Sequence, residues 1–386
     1  MIEKKVGYYV CNGIGFQSKV DALLYSNTVN KPVEWVFYDE VFSKYPWDIE
    51  PEESLDQLYD RRAKQLREKY DYIVICFSGG ADSNNVVQSF IRQGLHIDEI
   101  VTAHNADAAK KTTILDPNVK SSSNFAAEHE LQAVPRLNEF RNIIPLTKIT
   151  IVDNSNLPLT AMSSYNDADW ILSRSDALSI TTLYRFNIFS SPEFRSRVEK
   201  KKQIAIVIGM DKPKTYLKGD DFYLSFNDVT LNAPGASINS FNTEYDNIHI
   251  EPFYWSPDAI PMLCKQAHTI KRWLEEYKPR QQYWTRVTFA SRVFHEVCLR
   301  NVLYTTWKDE WFQTYKSMNW WQSDVDSWFR NDPEMSREYE IWKRGIDYLN
   351  LNLSKHIRYN ERNEPEGFVA FKQEYYIGKM KNEIIV

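Results

Sequence analysis

Tyr72-Ile73-Val74-Ile75-Cys76-Phe77 is an unbroken apolar run of strand length, the pattern of a strand covered on both faces in a parallel sheet. After a short Gly-rich stretch, Val86, Val87, Phe90 and Ile91 form a helical apolar stripe that stops at Gly94, and a second strand begins at Glu99-Ile100-Val101-Thr102-Ala103-His104. Strand, loop, helix and strand make one βαβ unit. Lys148 to Asp153 and Gln203 to Ile208 read as further strands, with helical material between them around Asp167 to Tyr184. This alternation predicts an α/β fold with a doubly wound, mainly parallel sheet.

Before this unit lies a lead-in, residues 1–70. Val6 to Cys11 and Val33 to Tyr38 read as strands, Ser18 to Tyr25 as a short helix, and Leu55, Leu58, Tyr59, Ala63 and Leu66 as the stripe of a longer helix ending near Tyr70. The α/β unit itself spans residues 71–255. From about Pro257 the pattern is mostly helical, so residues 256–386 are expected to form a helical, aromatic-rich region. Trp320-Trp321, Trp328 and Trp342 could stack on a nucleobase, but helical spacing with intervening charges favours core.

The chain has 386 residues, 43% of them apolar, enough for a substantial core. Its formal charge of −5 provides no overall cationic field, so bulk binding to nucleic acid is not indicated, leaving room only for a local basic groove. Met1 to Gly7 lacks the apolar run of a secretory signal, and no stretch of about 18 apolar residues occurs, so no membrane partner and a cytoplasmic location are expected. Cys11, Cys76, Cys264 and Cys298 are far apart and offer neither a dithiol nor a zinc site. The histidines form no metal-binding pair, which argues against a zinc hydrolase.

Between the first strand and its helix stands Ser78-Gly79-Gly80-Ala81-Asp82-Ser83. Paired glycines allow positive φ and let backbone N–H groups approach an anion closely. The helix start adds its positive dipole end, and the Ser78 and Ser83 hydroxyls can donate to phosphate oxygens. Asp82 would repel a bare phosphate and is better suited to holding Mg²⁺ or to fixing the loop. A plain strand-to-helix turn is the bland alternative.

The motif resembles, at every fixed position, the PP-loop of the ATP pyrophosphatase (adenine nucleotide α-hydrolase) superfamily, and the aromatic-rich chain is similar to bacteriophage-encoded members. In a virus the location would be the host cytoplasm. The resemblance covers about residues 70 to 110 and is topological from there to about 270. It implies ATP and Mg²⁺ as cofactors, with the loop gripping pyrophosphate while a carboxylate or carbonyl oxygen is adenylated and a nucleophile then displaces AMP. His104 and Asn105 close the second strand, where such proteins place a loop against the adenosine. Gly209-Met210-Asp211-Lys212-Pro213 closes a later strand, with Asp211 as a second Mg²⁺ ligand and Lys212 or Lys214 as a phosphate contact; an ordinary charged turn is the alternative. Lys265 could reach the phosphates from a later helix, although a solvated helical lysine is the simpler expectation.

Other candidates weigh less. Gly13-Ile14-Gly15-Phe16-Gln17-Ser18-Lys19 lacks the Gly-Lys-Ser/Thr core of a phosphate loop and reads better as a hairpin or strand-to-helix turn, with Lys19 kept as a candidate to point into the site from the lead-in. Asp220-Asp221 and Lys200-Lys201-Lys202 read as surface. Sulfur transfer is disfavoured, because no cysteine follows Cys298 and Cys76 sits in an apolar strand. Ile2 occupies the position where an asparagine-synthetase-type glutaminase would need cysteine. The expected activity is therefore an AMP-forming ligase or nucleotide-modifying enzyme that makes a C–N bond on an unidentified small-molecule or nucleobase acceptor. The rivals are an adenine-nucleotide hydrolase using water and a non-catalytic ATP sensor. A homodimer is compatible with the sequence.

Overall fold

The computed structural model describes residues 7–104, 107, 110–111, 129–153, 165–173, 192–200, 202–209, 214–228, 246–285, 298–308, 329–359 and 365–381. At its centre is a five-stranded, all-parallel sheet of β4 (Tyr72–Cys76), β5 (Glu99–His104), β6 (Lys148–Asp153), β7 (Ile204–Ile208) and β10 (Ile248–Pro252), in the order β10-β7-β4-β5-β6. From β4 the chain steps outward to β5 and β6, then returns to place β7 on the other side of β4. Period-two alternation divides the strand side chains between two cores. Ile73, Ile75, Ala205 and Val207 join the large core, which includes α3 (Leu55–Lys69), α4 (Ala81–Arg92) and α7 (Ile260–Glu275). Tyr72, Val74, Ile204, Ile206 and Ile248 face Phe194 and Val198 of α6 (Pro192–Glu199). Burial of both faces explains why β4 and β7 read as continuous apolar runs; β10, with His249 and Glu251 in its middle, carries no such signal.

Buried charges fasten the outer layers to the sheet. Glu99 is fully buried and is met by the Arg197 guanidinium of α6 at 3.1 Å, the Tyr72 hydroxyl at 2.9 Å and the Thr150 hydroxyl. A capping box at Ser54 and Gln57 starts α3. Arg62 of that helix donates to Glu251 of β10 at 2.9 Å.

The lead-in forms its own antiparallel sheet, β2-β1-β3, from β1 (Tyr8–Cys11), β2 (Ile14–Phe16) and β3 (Val33–Val36), followed by α1 (Lys19–Val29) after β2. Cys11 pairs with Ile14 across Asn12 and Gly13, both at positive φ, so the Gly13-Ile14-Gly15 segment is a hairpin, as the sequence favoured. Lys19 is completely buried and does not enter a crevice. Its ammonium donates to Asp228 at 2.6 Å and to the Val369 carbonyl at 2.7 Å, and it lies 4.8 Å from the Phe371 ring centroid. Asp228 also accepts the Tyr9 hydroxyl and the Phe371 N–H. One ion pair thus joins the start of the chain, the end of β9 (Asp221–Asn227) and the segment before β13 (Lys372–Lys379).

Beyond Pro257 the described residues are not only helical. α7, α8 (Pro279–Thr285) and α9 (Ser336–Leu353) are joined by β11 (Ile357–Tyr359), β12 (Pro365–Phe368) and β13. β13 pairs antiparallel with β9, which pairs with β8 (Lys214–Lys218). Three consecutive polar residues, Lys372, Gln373 and Glu374, conceal the start of β13 in the sequence, and its partner strand is remote. Of the helical material expected around Asp167 to Tyr184, the described part holds a 3₁₀ segment, Ala168–Ser173; residues 174–184 lie outside the described residues. Trp342 packs edge-on to Phe329 in a second core, matching the core reading, whereas Trp320, Trp321 and Trp328 lie outside the described residues. No helix among the described residues is long and apolar enough to cross a membrane.

The buried pair yields a test. Lys19→Met should cost roughly 3–5 kcal/mol near neutral pH, because it strands a buried carboxylate. Burial, against the pull of Lys19, already holds Asp228 above its usual value, so without the lysine its folded-state pKa rises further. A proton taken up preferentially by the folded state stabilises it as pH falls, so the deficit should shrink on acidification. Urea unfolding at several pH values checks this, and a pH-independent deficit would rule out the stranded charge as its cause.

Candidate functional site

The sheet reverses its order at β4 and β7, and the carboxyl ends of the strands there open the crevice in which doubly wound sheets bind ligands. Both sequence-selected glycine segments leave the sheet at this point. Ser78 to Gly80 follow β4 and lead into α4, whose N-cap, Gly80, provides no side-chain cap. Gly209 follows β7.

The loop is tightly built. Gly79 adopts φ +81°, and a Cβ there would lie 2.5 Å from the Ala133 nitrogen, so any side chain would clash. Ala133 ends a π-helical turn, His129–Ala133, which leads into α5 (Val134–Ile143). A Cβ on Gly209 would lie 2.9 Å from Ser83 Cα and 3.0 Å from the Ser83 nitrogen. The backbone at Gly209, just past β7, therefore rests directly on the first turn of α4. Ser83 is 3% exposed, and its hydroxyl is used within the loop, accepting the Ser78 N–H at 3.3 Å and donating to the Gly80 carbonyl at 3.2 Å. Ser78 is exposed, and its Oγ accepts the Gly80 N–H at 3.3 Å.

Asp82 stands in the first turn of α4 and is braced by tyrosines from distant parts of the chain. The Tyr304 hydroxyl donates to its carboxylate, and the Tyr254 hydroxyl donates to its main-chain carbonyl at 3.0 Å. Tyr254 also accepts from Asn85 at 3.0 Å. Burial, reinforced by the Asp82 charge, holds both phenols far above their usual pKa, so they remain protonated donors. Tyr59 packs against both rings and donates to the Leu303 carbonyl at 3.1 Å, which fixes the Tyr304 segment. These tyrosines were not visible as site residues, because they lie 172 and 222 positions from Asp82 and carry no local motif. Gln132, whose backbone borders Gly79, is 3% exposed, and its Oε1 has no partner among the described residues. A buried acceptor of this kind calls for a ligand or a water.

The structure brings Ser78, Gly79, Gly80, Ala81, Asp82, Ser83 and Gly209 together. The His104 backbone ends β5, paired with Asp153 of β6. Asn105, Asp211 and Lys212 lie outside the described residues. Lys265 is occupied elsewhere, donating to the Pro51 carbonyl at 2.8 Å and pairing with Glu50 at 2.7 Å. Asp220 and Asp221 sit at the β8–β9 turn. Burial pushes the Cys76 thiol up, in keeping with an unreactive cysteine. A second polar depression borders Tyr38, Lys69, His249 and Asp258. Its central carboxylate, Glu251, is buried, yet Arg62, Tyr70 and Lys69 hold it below the usual range, so it serves as a tie between α3 and β10.

Gly79→Ala and Gly209→Ala should each destabilise the fold by about 1–3 kcal/mol, since each forces a Cβ to within 3 Å of a neighbouring backbone. Urea unfolding of the two variants checks this, and wild-type stability in either would show that the two backbones do not touch there. A scan against protein-family models finds no match to the chain, and a search of curated proteins returns no relative.

Proposed function

We propose that the crevice between the ends of β4 and β7 binds ATP and directs attack on its α-phosphate, as in the PP-loop ATP pyrophosphatases that the loop resembles. One observation carries this: an uncapped helix start preceded by two glycines, one at positive φ, at the switch point of a parallel sheet. Backbone N–H groups of the loop and the exposed Ser78 hydroxyl would face the α and β phosphates, and the Ser83 hydroxyl would hold the loop in shape. An acceptor carboxylate or carbonyl oxygen attacks the α-phosphorus. The bond to the bridging oxygen breaks, and its electron pair leaves with pyrophosphate, whose growing charge the loop amides offset. A nitrogen nucleophile then displaces AMP, forming the C–N bond.

Asp82 suits Mg²⁺, which is commonly held by one or two carboxylates together with substrate phosphates. No group of three or more His, Cys, Asp or Glu among the described residues could hold a metal by itself, so the cation would arrive with the nucleotide. Bound there, it would neutralise phosphate charge. Tyr304 would keep the carboxylate oriented toward it.

With α-labelled ATP, Mg²⁺, ammonia and candidate acceptors, the expected products are AMP and pyrophosphate. Ser83→Ala should lower AMP formation by about tenfold or more, and EDTA should abolish it. AMP released equally well without any acceptor would identify a hydrolase, and ATP bound but unchanged would identify a sensor. ADP as product would contradict the proposal outright.

A further inference from the structure

The three-stranded sheet β13-β9-β8 has one face in the core and a second face that is exposed along its two edge strands and closed over Ser225 and Asn227 of the central strand. Phe222, Leu224 and Phe226 point inward and are fully buried. On the outer face Tyr216, Tyr223 and Tyr376 stand at one register level across all three strands, since Tyr216 pairs with Tyr223 and Tyr223 with Tyr376. Their ring centroids are 5.6 Å apart at each step, and Tyr376 is 41% exposed.

The charge on this face opposes that of the whole chain. Although the protein carries a formal −5, Lys214, Lys218, Lys372 and Lys379 occupy exposed outer positions of the sheet, against only Asp221 and Glu374. Lys218 lies 5.0 Å from the Tyr223 centroid and 5.4 Å from that of Tyr216, and pairs with Glu374 at 2.6 Å. A solvent-exposed pair of this kind is weakly held, so its ammonium can transfer to a phosphate.

From this row of aromatic rings within a local excess of lysine, we infer that the outer face of β13-β9-β8 is a platform for single-stranded nucleic acid, with bases on the tyrosines and phosphates on the lysines. Aromatic side chains take any base by its π-face, and lysines follow the backbone. Base stacking on aligned sheet aromatics requires unpaired bases, so a duplex is not the partner. Only residues 210–213 separate Gly209, at the crevice, from Lys214, at the edge of this sheet. A strand lying on the platform is therefore tethered close to the switch-point loop. The inference does not require ATP chemistry, because the platform shares no residue with the loop.

Fluorescence anisotropy of the full chain with labelled oligo(dT) and oligo(rU) of about 12 nucleotides, beside a duplex of equal length, tests this. Either single strand should bind more tightly than the duplex, with affinity falling steeply from about 50 to 200 mM salt. Tyr223→Ala/Tyr376→Ala should weaken binding by about tenfold or more, and Tyr376→Phe should preserve it. Lys214→Gln/Lys372→Gln should flatten the salt dependence by roughly one unit of slope per lysine. ATP-analogue affinity and melting temperature, measured on the same samples, should stay at wild-type values in Tyr376→Ser while oligonucleotide binding falls. Equal binding of duplex and single strand, no binding by the wild type, or indifference of binding to the tyrosines would overturn the platform, whatever the loop binds.

Discussion

Two backbones meet at the switch point without room for a single carbon between them. The chain leaving β7 lies on the first turn of α4 through Gly209, and the chain leaving β4 turns under Ala133 through Gly79. These contacts fix where the amides of the loop point, because neither segment can shift without a clash. Other features of the crevice support this placement.

Much of the support is polar and buried. Tyr304 and Tyr254 hold the start of α4 from the side of the C-terminal region, and Tyr59 ties that region to α3. Low dielectric strengthens such bonds and makes their loss costly, so the network is expected to act as a unit. Lys19 and Asp228 do the same farther away, closing the lead-in sheet against the strands that end the chain. The three segments of the sequence are thus interdependent in space, and the Tyr304 and Asp82 contact makes the C-terminal region part of the loop's environment.

The sheet was legible because its signals are local. A strand covered on both faces is apolar throughout, so β4 and β7 stood out, while β5 and the partly exposed edge strand β6 showed through their β-branched residues, and the paired glycines marked the loop between β4 and α4. The same logic could not reveal β13, whose outer positions carry lysine and glutamate and whose pairing with β9 is a long-range event. Nor could it find the tyrosine brace, since Tyr254 and Tyr304 lie outside any helix or strand, where a tyrosine looks the same whether its hydroxyl meets water or Asp82. Lys19 and Lys265 show the reverse error that lone charged residues invite. Lys19 was kept as a candidate for the site and Lys265 was expected to be solvated or to reach a ligand, yet each is committed to a carboxylate and a main-chain carbonyl.

The most direct test of the central claim is a crystal structure with the α,β-methylene analogue of ATP and Mg²⁺. The α and β phosphates should lie against the backbone amides of residues 79–83, opposite Gly209, with the cation between Asp82 and the phosphates. A nucleotide bound elsewhere, or one whose phosphates turn away from this loop, would contradict the account.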